Sequence, residues 1–208
     1  GADYLDTLDR EMGLSSREMN PDRRVVQMHF GGGTPTFLRA EEIQRLGEMI
    51  RGHFPFAEKM EAGVEIDPRR LTRDRVVALR EAGFNRASMG VQDNNPKVQE
   101  AVHRIQPLEA TRQAVDWLRE EKYESLNIDL IYGLPHQTRE TFEQTLEEII
   151  ELDPDRLAVF SYAHVPWIKP AQKILTDDIL PGPEMKLQLL KLTIEKLTDS
   201  GYVYVGMD

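Results

Sequence analysis

Three consecutive glycines, Gly31, Gly32 and Gly33, run into Thr34 and Pro35 and leave a stretch of bare backbone. No side chain blocks approach there, so the amides and carbonyls can meet a polar ligand; a carboxylate, an ammonium or a phosphate would suit them. The run has neither the Gly-Lys-Ser/Thr of a Walker loop nor the spacing of a dinucleotide fingerprint. A tight strand-to-helix turn is the plainer reading of the same residues. Carboxylates recur downstream. Glu65 and Asp129, with Asp67 and Asp93 nearby, stand at the ends of apolar runs, where they could hold a ribose diol, an ammonium group or a divalent metal. Caps and turns use the same residue types.

Gln92 and Arg104 are weaker signals, since an amide can simply satisfy a loop and an arginine can be a solvated helix charge. His164, after Tyr162 and Ala163, is either an acid-base group or a satisfied hydrogen bonder. His29, His53, His103 and His136 have no comparable context. Pro166, Trp167 and Pro170, with Lys169 between them, predict a stiff apolar loop beside a cation. Such a loop could cover a flat aromatic anion or pack on its own helix.

Alternating elements must position these residues. Strand-length runs are VVQMHF (25–30), EAGVEI (61–66), NRASMGV (85–91), SLNIDLIY (125–132), DRLAVFSYA (155–163) and YVYVGM (202–207). Between them, Ile43, Leu46, Met49 and Ile50 share a helical face, as do Val76 and Leu79, and again Phe142, Leu146, Ile149 and Ile150. Thr72 and Thr138 read as N-caps, and Gly83 and Gly201 as helix ends. Strand then helix, repeated, predicts an α/β fold with parallel strands, either an open doubly wound sheet or, as favoured here, a barrel-like closure. In such an array the strand ends face one rim: GGGTP, EIDP, GVQD, DLIYGLP, SYAHVP and GMD (206–208).

The chain has 208 residues, 40% hydrophobic and 30% charged, with no linker or low-complexity tract, and is read as one domain. It lacks an apolar run of membrane-spanning length and begins without a secretory pattern, so a cytoplasmic location is expected. A net charge of -10 argues against nucleic acid or an anionic membrane as partner. Zero cysteines exclude disulfides, a thiol nucleophile and thiolate-held metals within these residues.

The segments HFGGGTPTFL, VEIDP, GFNRASMGVQD, NIDLIYGLPHQT and SYAHVPWIKPAQ resemble the oxygen-independent coproporphyrinogen III oxidase family of radical S-adenosylmethionine enzymes over essentially the whole chain. MGVQD, EIDPR and YAHVPWIKPAQ lean to the oxidase over a haem-chaperone branch that shares the other motifs. The resemblance implies an incomplete parallel β/α barrel. It also implies a [4Fe-4S] cluster on three cysteines in C-x3-C-x2-C, which this chain lacks. A fragment is therefore expected, 1–208 being a core without its first strand, N-terminal cluster segment and C-terminal domain, and inactive alone.

By the same resemblance, Gly32 and Glu65 contact a cluster-bound S-adenosylmethionine, while Gly33, Thr34, Gln92, Arg104, Asp129 and Ala163 contact a second one. The implied reaction of the intact protein is radical-driven oxidative decarboxylation of two propionates of coproporphyrinogen III, giving protoporphyrinogen IX in haem biosynthesis. The implied partners are the porphyrinogen substrate and an electron donor for the cluster, in a monomer. A tetra-anionic substrate calls for a local basic patch, with Lys169 and Lys173 the candidates. The alternatives are the haem chaperone and, without the resemblance, a metal-assisted barrel enzyme using Glu65, Asp129 and Asp208.

Overall fold

Runs of β-branched and aromatic residues form ladders here, and runs of helical period bury one face against them. The structure, a computed structural model, describes residues 2–206. In chain order the elements are α1 (Ala2–Arg17), β1 (Val25–Phe30), α2 (Ala40–His53), β2 (Phe56–Ile66), α3 (Arg73–Glu81), β3 (Arg86–Gln92), α4 (Pro96–Ala101), α5 (Leu108–Glu120), β4 (Ser125–Tyr132), α6 (Arg139–Ile150), β5 (Arg156–Ser161) and α7 (Pro183–Asp199). Short 3-10 turns occupy Pro35–Phe37, Pro68–Arg70 and Pro170–Ile174. The strands make a five-stranded sheet in the order β1-β2-β3-β4-β5. Pairing is parallel between β1 and β2, β2 and β3, and β4 and β5.

Two compact units divide the chain, one of Gly1–Met89 with Gln113–Leu126, the other of Gly90–Arg112 with Asn127–Asp208. In the first, Leu5 and Met12 of α1 meet Leu46 and Ile50 of α2 in a buried cluster, with Met28 and Phe30 of β1 packed against it. Phe30 also meets the Phe84 ring edge-on at 4.7 Å. Val76 and Leu79 of α3 are buried, as their spacing predicts. In the second unit, β4 and β5 pair without interruption from Asn127↔Arg156 to Tyr132↔Ser161. Over it α6 buries Phe142, Leu146 and Ile149, each at 0% exposure. Lys196 of α7 bridges Glu143 and Glu147 of α6.

Both expected N-caps and both expected helix-end glycines stand where the sequence places them, Gly83 at φ +100° and Gly201 at φ +93°. Three strand expectations are corrected. β2 starts at Phe56 rather than Glu61, because the β1–β2 ladder begins at Val25↔Phe56 and, after a register shift between Val25 and Gln27, resumes at Gln27↔Glu61. β5 stops at Ser161, leaving Tyr162 and Ala163 in the following loop. YVYVGM is no strand over Tyr202–Gly206: it alternates like one but joins no strand ladder among the described residues, and Val203 and Val205 are 87% and 84% exposed. Met207 and Asp208, the rest of that rim segment, lie outside the described residues. No helix among the described residues is long and apolar enough to cross a membrane.

Candidate functional site

At the end of β1 in the first unit, strand alternation puts His29 and Gly31 on the same side. A Cβ on Gly31 would lie 2.8 Å from Glu65 Oε1 and 2.9 Å from His29 Nε2, so glycine lets these two side chains close over the backbone and a larger residue would make their ends shift. The His29 ring and the Glu65 carboxylate sit 3.5 Å apart. Gly32 takes φ +84°, and a Cβ added to it or to Gly33 would meet no atom within 4 Å, so this backbone faces open space. Gly32, Gly33 and Thr34 are all exposed. A bare backbone beside a carboxylate is the arrangement an ammonium-bearing ligand requires. His29 was not distinguished by sequence; its place two residues before the glycines is the only signal for it.

The second unit holds Gln92, Arg104, Asp129 and Ala163. Gln92, last residue of β3, adopts φ +72°, a left-handed conformation that a side-chain-bearing residue takes only at a cost. Gly90 leaves room for two neighbouring side chains: a Cβ there would lie 2.6 Å from Gln92 Nε2 and 3.4 Å from Arg104 Nη2. Arg104 donates from Nη2 to the Gly90 carbonyl at 2.6 Å and to Gln106 Oε1 at 3.2 Å. Arg104 is thus a seated, part-buried group, and the solvated-helix reading of it is set aside. Asp129 accepts from Asn127 Nδ2 at 2.6 Å, the two being alternate residues of β4. The Ala163 carbonyl accepts from Gln172 Nε2 at 3.1 Å, and Gln172 Oε1 takes the Val165 N–H at 2.6 Å. Gln172 therefore pins the loop that carries Trp167 and Ile168, which remain exposed together with Lys169 and Lys173.

Among the described residues, Gln92 Oε1, Tyr162 Oη and His164 Nδ1 are buried with no protein partner. Burial pushes the Tyr162 phenol up from its ordinary value. Such atoms are rare in a finished core, and groups of them at strand ends mark places where something else supplies the hydrogen bond. Lys186 crosses this region, its stem over Gly133 (φ +85°) and its ammonium donating to the Tyr162 carbonyl at 2.9 Å.

Two of the candidate carboxylates are structural. Asp67 caps a 3-10 turn through the Arg69 N–H and pairs with the Arg69 side chain. Asp93 is buried, accepting from the Asn95 N–H at 2.6 Å, Gln137 Nε2 at 2.6 Å and Thr145 Oγ1 at 3.3 Å. Burial pushes its carboxyl up to about 6 despite those bonds. No group of three His, Cys, Asp or Glu among the described residues is placed to hold a metal ion, and Asp208, the third ligand of the metal-assisted reading, lies outside those residues.

Comparison with known proteins bears on the family and the fold. The chain is 46% identical over 205 residues to an oxygen-independent coproporphyrinogen III oxidase of Synechocystis, covering 99% of this chain and 44% of that one. It is 47% identical to the Escherichia coli K12 protein of the same name over 205 residues, covering 99% and 45%. The solved structure of the coproporphyrinogen III oxidase HemN from Escherichia coli, described as a radical SAM enzyme, superposes with a TM-score of 0.95 at 47% identity, covering 100% of this chain and 48% of that one. The chain thus spans about half the length of the curated relatives it matches. The expected fold class, an incomplete parallel β/α barrel, is the one this likeness shows. Residues 10–149 match the model of the Radical SAM superfamily, and with two thirds of its length inside that model the chain belongs to this superfamily.

Proposed function

We propose that this chain is the S-adenosylmethionine-binding core of an oxygen-independent coproporphyrinogen III oxidase. The observation that carries this reading is near-complete coverage of the chain, at 42–47% identity, by relatives that bear that name. Nothing in the comparisons favours the haem-chaperone alternative.

The residues fit the adenosyl ligand. The open Gly32–Gly33 backbone and the Glu65 carboxylate suit the methionyl ammonium of one S-adenosylmethionine. Gln92, Arg104, Asp129 and Ala163 of the second unit suit a second. Gln92 Oε1 is a buried acceptor awaiting a donor, Arg104 matches a carboxylate, and Asp129 can accept from a ribose hydroxyl or offset the sulfonium. The residues do not fit an iron-sulfur cluster: the chain contains no cysteine. In this reading the intact protein supplies the cluster ligands from a segment outside 1–208, as well as its C-terminal domain, and the present residues bind, orient and exclude water. The exposed Trp167 with Lys169 and Lys173 suits a flat, tetra-anionic porphyrinogen.

The test is anaerobic. The parent gene, expressed in a bacterium stripped of its own oxygen-independent enzyme, is expected to restore haem-dependent growth, and substituting Arg104 by alanine in the parent is expected to abolish it. No rescue by a well-expressed parent protein would overturn the reading.

A further inference from the structure

Six polar side chains of the second unit are buried and joined to one another, and buried amides are costly unless they do something a hydrophobic side chain cannot. Asp93, Gln99, Gln106, Thr111, Gln137 and Thr145 are all 6% exposed or less. Within this set Gln99, on α4, treats the backbone of Gln106 as a strand partner would. Its Oε1 accepts the Gln106 N–H at 2.8 Å, and its Nε2 donates to the Gln106 carbonyl at 2.8 Å and to the Asp93 carbonyl at 2.9 Å. The Gln99 carbonyl also accepts the Arg104 N–H at 2.8 Å.

With its backbone clamped, the Gln106 side chain has one orientation left. Nε2 donates to Thr111 Oγ1 at 3.1 Å, which turns Oε1 toward Arg104 Nη2 at 3.2 Å. An amide turned the other way would set two donors against each other, so the hydrogen bonds fix its sense. The Arg104 guanidinium is consequently held between Gln106 Oε1 and the Gly90 carbonyl, beside the strained Gln92.

We propose that Gln106, locked by Gln99 and Thr111, is a positioning residue that sets the plane of the Arg104 guanidinium against the carboxylate of an adenosyl amino-acid ligand. The ligand half of this proposal rests on the function proposed above; the positioning half does not. Hydrogen bonds from a planar guanidinium are directional, so tilting its plane weakens them, and a residue that never touches the ligand is expected to control affinity.

The experiment uses the 208-residue chain and has two readouts. The first is the Arg104 side-chain Nε–H resonance in 15N NMR, assigned by its loss in Arg104→Lys. The second is calorimetric titration with S-adenosylmethionine. Gln106→Leu is expected to move and broaden the Arg104 resonance and weaken binding about tenfold, the scale of one hydrogen bond to a charged group. Gln106→Glu keeps an acceptor facing Arg104, and Thr111 can turn its hydroxyl to donate, so both readouts are expected to stay near wild type. Thr111→Val, which changes shape little, removes the acceptor that anchors Gln106 Nε2, so the amide loosens against Arg104, and the variant is expected to show the resonance change even where Gln106→Leu does not fold. An unmoved Arg104 resonance in folded Gln106→Leu or in Thr111→Val overturns the positioning role. A wild-type chain with an ordered Arg104 that binds no S-adenosylmethionine instead overturns the ligand assignment.

Discussion

The Asp93 carboxyl is 1% exposed, and its three accepted bonds do not make up for the water it has lost, so burial holds it near 6. Because the folded value lies above the ordinary 3.8, the folded state binds the proton more tightly than the unfolded chain does. The stability that comes from the neutral carboxyl is therefore complete below 3.8 and is lost as the pH rises through about 6, a span of about 3 kcal/mol. Asp93→Asn has no proton to lose. It also sets an amide NH2 among groups that donate to Asp93, and Gln137 cannot turn in response because its Oε1 takes the Gly133 and Leu134 N–H groups at 2.6 and 3.0 Å. The variant is expected to be less stable by about 1–3 kcal/mol at acid pH, with the difference from wild type narrowing between pH 4 and 7. Urea melts at several pH values check this, and two curves that stay parallel would count against the raised carboxyl. This network was illegible in the sequence, where Asp93 reads as one more acidic residue at a strand end. Its role depends on Gln137 and Thr145, 44 and 52 residues away.

Elements were legible to the degree that their signals are local. SLNIDLIY is a strand from its first residue to its last because it alternates and also finds β5 as partner. YVYVGM carries the same alternation, and exposed valines show that the pattern is necessary for a strand and not sufficient. The two threonine caps separate in the same way. Thr138 Oγ1 accepts the Thr141 N–H at 3.2 Å while Thr141 Oγ1 accepts the Thr138 N–H at 3.0 Å, a reciprocal lock on the first turn of α6. Thr72 stands at the corresponding point of α3 with no side-chain capping bond. Thr138→Ala is expected to lower stability by about 1 kcal/mol, and Thr72→Ala by clearly less. Chemical denaturation of the two variants side by side distinguishes a cap that works from one that only has the right residue type, and equal losses would show that the cap at Thr138 is not what holds α6.

At the scale of the whole molecule, composition decides what the chain can take up, and it separates the two cofactors that the superfamily uses together. Adenosyl binding needs backbone, amide, guanidinium and carboxylate groups, all of which are present at Gly32, Gln92, Arg104 and Asp129. Cluster binding needs thiolates, and there are none. The 208-residue chain is therefore expected to show no thiolate-to-iron absorption after anaerobic incubation with ferrous iron and sulfide, yet to melt at a higher temperature in S-adenosylmethionine. At a hundredfold excess over the dissociation constant, ligand that binds only the folded state adds about 2.7 kcal/mol. Adenosine, which lacks the methionyl carboxylate and ammonium, is expected to give a smaller rise, because it leaves Arg104 and Glu65 without their counterparts. Equal shifts from the two ligands would mean that the glycine run and the arginine take no part in binding. A cluster spectrum from a chain without cysteine would mean that the metal is held by ligands of another kind.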